Sequence, residues 1–320
     1  MTGFVELPEE TLVHILRRAS PEDVQICRQV CRFLRTLIDS SAELQYLIEL
    51  YTLGYVPPAH SRLDLTYPEK LELLQKHKSH WNSIHTISHK RYPLLTSDTG
   101  YTSTYDFYGG VYARGSTSNS LSNATRRLDL YQLPSVNKGT EYKQWTHLDL
   151  GVDTRDFVME PDFDLLVLLE LGHQTRIPRA ERGTPNVIQH FNVHLRSLET
   201  CAPHPDAAKP IIRHSLRSFA RTSWSFYFQV VGRYLAVLLL IGVDQQEESQ
   251  TCQLRVWDWT TGNPVTYVDV VGAESRGFAF LSDSLIAIPR HAASIPNPES
   301  TQKKALGTVN IYTFEPPAGT

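Results

Sequence analysis

Arg176, Arg179 and Arg182 fall in one Pro-containing stretch, and Arg213, Arg217 and Arg221 recur every four residues. Guanidinium forks grip carboxylates and phosphoryl groups through paired hydrogen bonds, so such clusters suit recognition of acidic or phosphorylated segments. Glu181 and scattered acids offset the charge, and a solvated loop explains the same pattern. Arg176, Arg179 and Arg182 are therefore candidates for target binding. His77, His80, His85 and His89 crowd another stretch, but no cysteine or carboxylate joins them at ligand spacing, so no metal is expected. His190 and His194 share a strand face with Asn192 and read as exposed surface, while Asp162 and Asp164 read as a turn before Leu165. The chain lacks a Gly-x-Ser-x-Gly elbow, a phosphate loop, a Gly-x-Gly-x-x-Gly turn and a His-Glu-x-x-His pair. A binding protein that performs no covalent chemistry and needs no cofactor is expected.

The whole chain narrows the setting. Its 320 residues have room for two domains, and a net charge of -3 gives no field for nucleic acid or an anionic membrane. Four cysteines form no disulfide framework and suit a reducing compartment, the cytoplasm or nucleus. No secretory leader is visible, so the acceptor pattern Asn123-Ala124-Thr125 is expected to stay unmodified. The longest apolar run, Tyr234 to Val243, is far shorter than the roughly 20 residues that span a bilayer. It reads as a buried strand.

Short helices come first. Leu7-Pro8-Glu9-Glu10 suits a helix start, and Leu12, Ile15, Leu16 and Ala19 form one apolar stripe. Ser20-Pro21-Glu22-Asp23 ends that helix and caps another, whose apolar face continues through Val24, Val30, Cys31, Leu34, Leu37 and Ile38. Ser40 and Glu43 have capping-box spacing before Leu44, Leu47, Ile48 and Tyr51. Gly54 and Pro57-Pro58 mark a boundary, after which Tyr67-Pro68-Glu69 restarts a helix with Leu71, Leu74, Lys78 and Trp81 on one side.

The first stretch resembles an F-box. Leu7-Pro8-Glu9-Glu10, Ile15-Leu16, Ser20-Pro21 and Val30-Cys31-Arg32 follow that family's order and spacing, although Leu34, beside Phe33, stands where the family carries Trp. The resemblance implies docking on a Skp-type adaptor, and through it on the cullin of a cullin-RING ubiquitin ligase. The residues expected to make that contact are Leu7, Pro8, Leu12, Ile15, Leu16, Val30, Cys31 and Leu34, some of which must also hold the small domain together.

From about Thr96 the texture changes to short β-type runs punctuated by Gly and Pro. Alternating segments around Leu130, Val193, Val256 and Ile311 recur at separations of 63, 63 and 55 residues. More apolar partners precede them: Phe107 to Ala113, Leu165 to Leu171, Arg233 to Ile241 and Leu281 to Pro289. Innermost strands are expected at Arg155 to Met159, Trp224 to Val230 and Arg276 to Phe280. About four strands per unit, with no helix between units, predicts propeller blades. Leu254 to Trp259 followed by Thr260-Thr261-Gly262 resembles the end of a WD repeat, with Trp257-Asp258 as the dipeptide, and the outer strand is expected at Val265 to Val270. The Gly-His dipeptide is missing at its place, and the other repeats lack Trp-Asp.

The expectation is an α+β multidomain chain: a helical domain over residues 1–54, a helical connector over 55–95, and an all-β, propeller-like domain of about four blades over 96–320. Whether the ring closes or is a shortened version is open. Together with the resemblance to F-box substrate receptors of the fungal type, this implies a substrate-recruiting adaptor. A WD-type scaffold without a ubiquitin role is one rival. A propeller enzyme is the other, and it requires a central cluster of ionisable groups with displaced pKa values. Irregular insertions are expected at the same place in every repeat: Arg114 to Thr125, Gly172 to Asn186, Gly242 to Thr251 and Arg290 to Gly307. Each falls between an apolar and an alternating strand, on what would be one face, the expected target platform.

Overall fold

The computed structural model describes residues 7–55, 65–83, 91–93, 101–117, 124–135, 138–178, 186–219, 222–243, 251–271, 277–291 and 307–314. The chain divides into two compact units, Met1–Leu95 with Pro134–Glu141, and Thr96–Leu133 with Tyr142–Thr320.

The first unit holds α1 (Glu9–Leu16), α2 (Pro21–Val30), α3 (Arg32–Ser40), α4 (Ala42–Thr52) and α5 (Tyr67–Ser83). Its joints are set by local chemistry. Ser20 Oγ accepts from the Asp23 N–H at 3.1 Å, with Pro21 opening α2. Cys31 is extended, at φ -152° and ψ 164°, and separates α2 from α3. The cap of α4 is Ser41, not Ser40: α3 stays helical through Ser40, whose Oγ donates back to the Leu37 carbonyl, so the next extended residue caps instead. Gly54, at φ +68°, closes α4 with two reversed bonds: its N–H donates to the Tyr51 carbonyl, and the Tyr55 N–H donates to the Leu50 carbonyl. At the start of α5, the Glu69 carboxylate accepts from both the N–H and the hydroxyl of Thr66 at 2.7 Å. Leu12, Leu16, Val24, Leu34, Leu37, Ile38 and Leu44 form the core. Trp81 lies two turns from buried Leu74 on α5 yet is exposed, and its indole N–H bonds His77 Nε2 at 2.9 Å. No helix among the described residues is long and apolar enough to cross a membrane.

The second unit is a series of antiparallel meanders. Sheet 1 comprises β1 (Tyr101–Tyr108), β2 (Val111–Thr117), β3 (Arg127–Gln132) and β4 (Lys143–His147). Sheet 2 has β5 (Thr154–Glu160), β6 (Leu165–Arg176), β7 (Val187–Ser197) and β8 (Ile211–Ser218). Sheet 3 has β9 (Thr222–Val231), β10 (Tyr234–Val243), β11 (Thr251–Asp258) and β12 (Asn263–Val271). Sheet 4 has β13 (Ala279–Phe280), β14 (Leu285–His291) and β15 (Gly307–Thr313). The first strands of successive sheets lie against one another. Separate apolar cores fill the spaces between sheets 1 and 2, sheets 2 and 3, and sheets 3 and 4. This is a propeller-like arrangement.

The alternating segments are the third strand of every sheet, and the four stretches expected to form the target platform each follow the second strand, although the β3–β4 and β7–β8 connections, which follow the third, are of similar length. The stretch Phe107 to Ala113, expected as one strand, is instead a hairpin. Gly109 and Gly110 both have positive φ, the geometry of a two-residue turn between twisted strands, and the flanking aromatics hide that break from a hydrophobicity pattern. Of the innermost strand expected over Arg276 to Phe280, Ala279–Phe280 is strand and Gly277 and Phe278 are not, while Arg276 lies outside the described residues.

Candidate functional site

The predicted docking residues separate by burial. Leu12, Leu16 and Leu34 lie in the core of the helical unit, and Leu7 packs against it. Pro8, Ile15, Val30 and Cys31 face outward, with Ile15 41% and Val30 69% exposed. Ile26, one turn before Val30, is exposed too, as is Phe33 at the start of α3. Neither residue was anticipated for docking. Both are apolar and out of phase with the buried positions of their helices (Val24 on α2; Leu34, Leu37 and Ile38 on α3), which is the sequence signal that would have found them. An aliphatic side chain outside the core gains nothing from water, so this set has contact surface to offer. Elsewhere on α1, Glu9, Glu10, Val13, His14 and Arg17 border a groove lined also by Leu37, Ser40, Ser41 and Glu43, with Arg17 Nε 3.0 Å from Glu43 Oε1.

In the second unit, Arg176 ends β6 and is exposed, whereas Arg179, Arg182 and Arg221 lie outside the described residues. Arg213 and Arg217 are exposed on β8 and flank Ser215 on one strand face. Most of each long connection is likewise outside the described residues, as are His85 and His89.

The face expected around His190, Asn192 and His194 is only partly open. His194 is buried, and its Nε2 lies 3.0 Å from Glu170 Oε2, which also accepts from Asn192 Nδ2 at 2.8 Å. Burial pushes the Glu170 carboxyl up, but these two bonds outweigh it and hold it below the usual range. His190 is set between two hydroxyls: Nδ1 is 2.7 Å from Ser215 Oγ and Nε2 is 3.0 Å from Thr175 Oγ1. The His173 ring lies 4.6 Å from it.

Asp106 on β1 and Asp156 on β5 are close enough for the charge of Asp106 to act on its neighbour. Burial, aided by that charge, pushes the Asp156 carboxyl up to about 6, against a 2.9 Å bond from the Phe157 N–H. Burial also raises Asp106, opposed by the Met159 N–H at 3.0 Å. A carboxyl raised toward neutrality, as Asp156 is, can serve as acid or base. Among the described residues, no three His, Cys, Asp or Glu side chains are grouped so as to hold a metal.

The Trp257-Asp258 pair divides its work. Trp257 is buried between sheets 2 and 3. Asp258 Oδ1 accepts from the Thr260 N–H at 3.0 Å, the Thr260 hydroxyl at 2.7 Å and the Thr261 N–H at 3.3 Å, while Oδ2 accepts from Arg233. It fixes the turn into β12.

The described residues thus combine a capped helical module that has apolar side chains outside its own core with a propeller-like set of sheets. The chain carries an F-box-like domain: the F-box-like family model matches residues 4–44. No curated protein matches the chain.

Proposed function

We propose that the chain is a substrate-recruiting adaptor of a Skp-cullin-F-box ubiquitin ligase. The helical unit docks on a Skp-type adaptor, and the propeller-like unit holds a target protein. The observation that carries this reading is the set of exposed Pro8, Ile15, Ile26, Val30 and Phe33, in a unit already packed around a core of its own and matched by the F-box-like family. Leu12, Leu16 and Leu34 then serve the interface by fixing the helices that present these side chains. The adaptor acts by effective concentration, keeping a target near a ubiquitin-charged enzyme, and contributes no covalent step.

The test is co-purification of the full chain with a Skp-type adaptor. Ile15→Ala and Val30→Ala together should abolish capture while circular dichroism stays unchanged. Undiminished capture by a folded double variant would exclude this docking surface.

A further inference from the structure

β15 differs from every other outermost strand. In sheets 1, 2 and 3 the third strand is covered by an antiparallel fourth, and those edges carry groups that discourage further pairing: Lys143 on β4, Arg213 and Arg217 on β8, Pro264 and Asp269 on β12. In sheet 4 the third strand is itself the edge, and among the described residues no strand lies beyond it. Gly307 to Thr313 contains no charge and no proline.

The outward backbone groups can be identified. The Phe314 N–H donates to the Ser284 carbonyl, so Phe314 and every second residue before it bond toward β14. Val309, Ile311 and Thr313 therefore turn their N–H and C=O groups to the open side. The sequence of this edge is self-complementary about Asn310. An antiparallel copy centred there sets Val309 opposite Ile311, Thr308 opposite Tyr312, and Asn310 opposite Asn310. Apolar meets apolar on one face, polar meets polar on the other, and the outward groups of Val309 and Ile311 become mutual partners.

We propose that a second copy of this chain covers β15, joining two sheets 4 into one continuous sheet across a two-fold axis at Asn310. Such an interface is isologous and closed, so it stops at a dimer. It does not depend on the ubiquitin-ligase reading.

Engineered cysteines in the full chain, with exposed Cys31 replaced by serine, read the register directly. At the axis the two Asn310 positions form a non-hydrogen-bonded pair with Cα atoms about 4.5 Å apart, within disulfide reach. Asn310→Cys should form a covalent dimer under mild oxidation. Val309→Cys should not, although Val309 is the more exposed residue, because its mate stands opposite Ile311. Light scattering should show a twofold rise in mass with concentration, abolished by Ile311→Lys, a substitution at an exposed position that leaves the fold intact by circular dichroism. A chain monomeric at every concentration overturns the proposal, as does equal cross-linking through residues 309 and 310. Exchange-protected amides at Val309 and Ile311 in a monomer would show that a segment of the same chain covers the edge, and would overturn it too.

Discussion

Replacing Asp156 by asparagine should stabilise the protein at neutral pH and leave it unchanged only in strong acid, below the ordinary carboxylate range. Burial and the neighbouring Asp106 raise the Asp156 carboxyl from 3.8 to about 6. A carboxyl raised in the folded state favours folding while protonated, and that contribution is lost as pH rises through about 6. At about 1.4 kcal/mol per pH unit, ionised Asp156 costs the folded state about 3 kcal/mol above pH 7, or about 2 kcal/mol once partial exposure is discounted. Asparagine keeps a carbonyl oxygen for the Phe157 N–H but carries no charge. The assay is urea unfolding of the full chain followed by tryptophan emission, since four of the five tryptophans, at positions 145, 224, 257 and 259, belong to the second unit. With a urea dependence of roughly 2 kcal/mol per molar, the Asp156→Asn midpoint should rise by about 1 M at pH 7.5, by roughly a third of that at pH 4.5, and by almost nothing at about pH 3. An equal shift at all three pH values, or a loss at pH 7.5, would refute the assignment of a charge penalty to this residue.

Other outcomes are equally definite. Leu12→Ala should cost the helical unit about 2–5 kcal/mol of stability as a cavity at a fully buried site, measured by thermal melting, whereas Ile15→Ala should leave the melt nearly unchanged and weaken adaptor binding by about 2 kcal/mol in calorimetry. Trp257→Ala should cost about 3–5 kcal/mol, and Asp258→Ala less, by chemical denaturation. Burial, with the charge of Arg255, depresses His214 to about 4, so its contribution is present above the ordinary value of 6.5 and lost as pH falls toward 4. His214→Gln should therefore flatten the acid limb of the stability profile by about 2 kcal/mol after screening is discounted. Shortening the connection between β6 and β7 should leave adaptor capture intact and reduce recovery of the target protein in pull-downs.

Much of this architecture is legible in the sequence. The third strands announced themselves because alternation at Leu130, Val193, Val256 and Ile311 is a local property of an antiparallel strand with one face buried. Tyr234 to Val243 was legible as a strand because ten apolar residues between Arg233 and Asp244 are too few to span a bilayer. What failed was continuity: Phe107 to Ala113 is aromatic on both sides of two glycines, so a tight hairpin looked like one strand. The Ser40 cap failed by one residue because capping depends on where helical geometry stops, and Ser40 and Ser41 are chemically equal candidates. On the helices, periodicity identified the stripe but assigned Ile15 and Val30 to it, since a pattern cannot tell a side chain buried in its own unit from one held ready for another.

The repeat also leaves an asymmetry. Leu130, Val193 and Val256 are at most 1% exposed because each points into the core shared with the following sheet, while Ile311, their counterpart in sheet 4, is 52% exposed. Every sheet is a meander of consecutive strands, so folding can proceed sheet by sheet with short-range chain closure. Among the described residues sheet 4, like sheet 1, borders one core where sheets 2 and 3 border two, and it alone enters through a strand of only two residues. Its amides should therefore exchange with solvent at a lower opening free energy than those of sheets 2 and 3, and proteolysis under native conditions should begin there. The lifetime of the folded repeat unit is then set from this end inward.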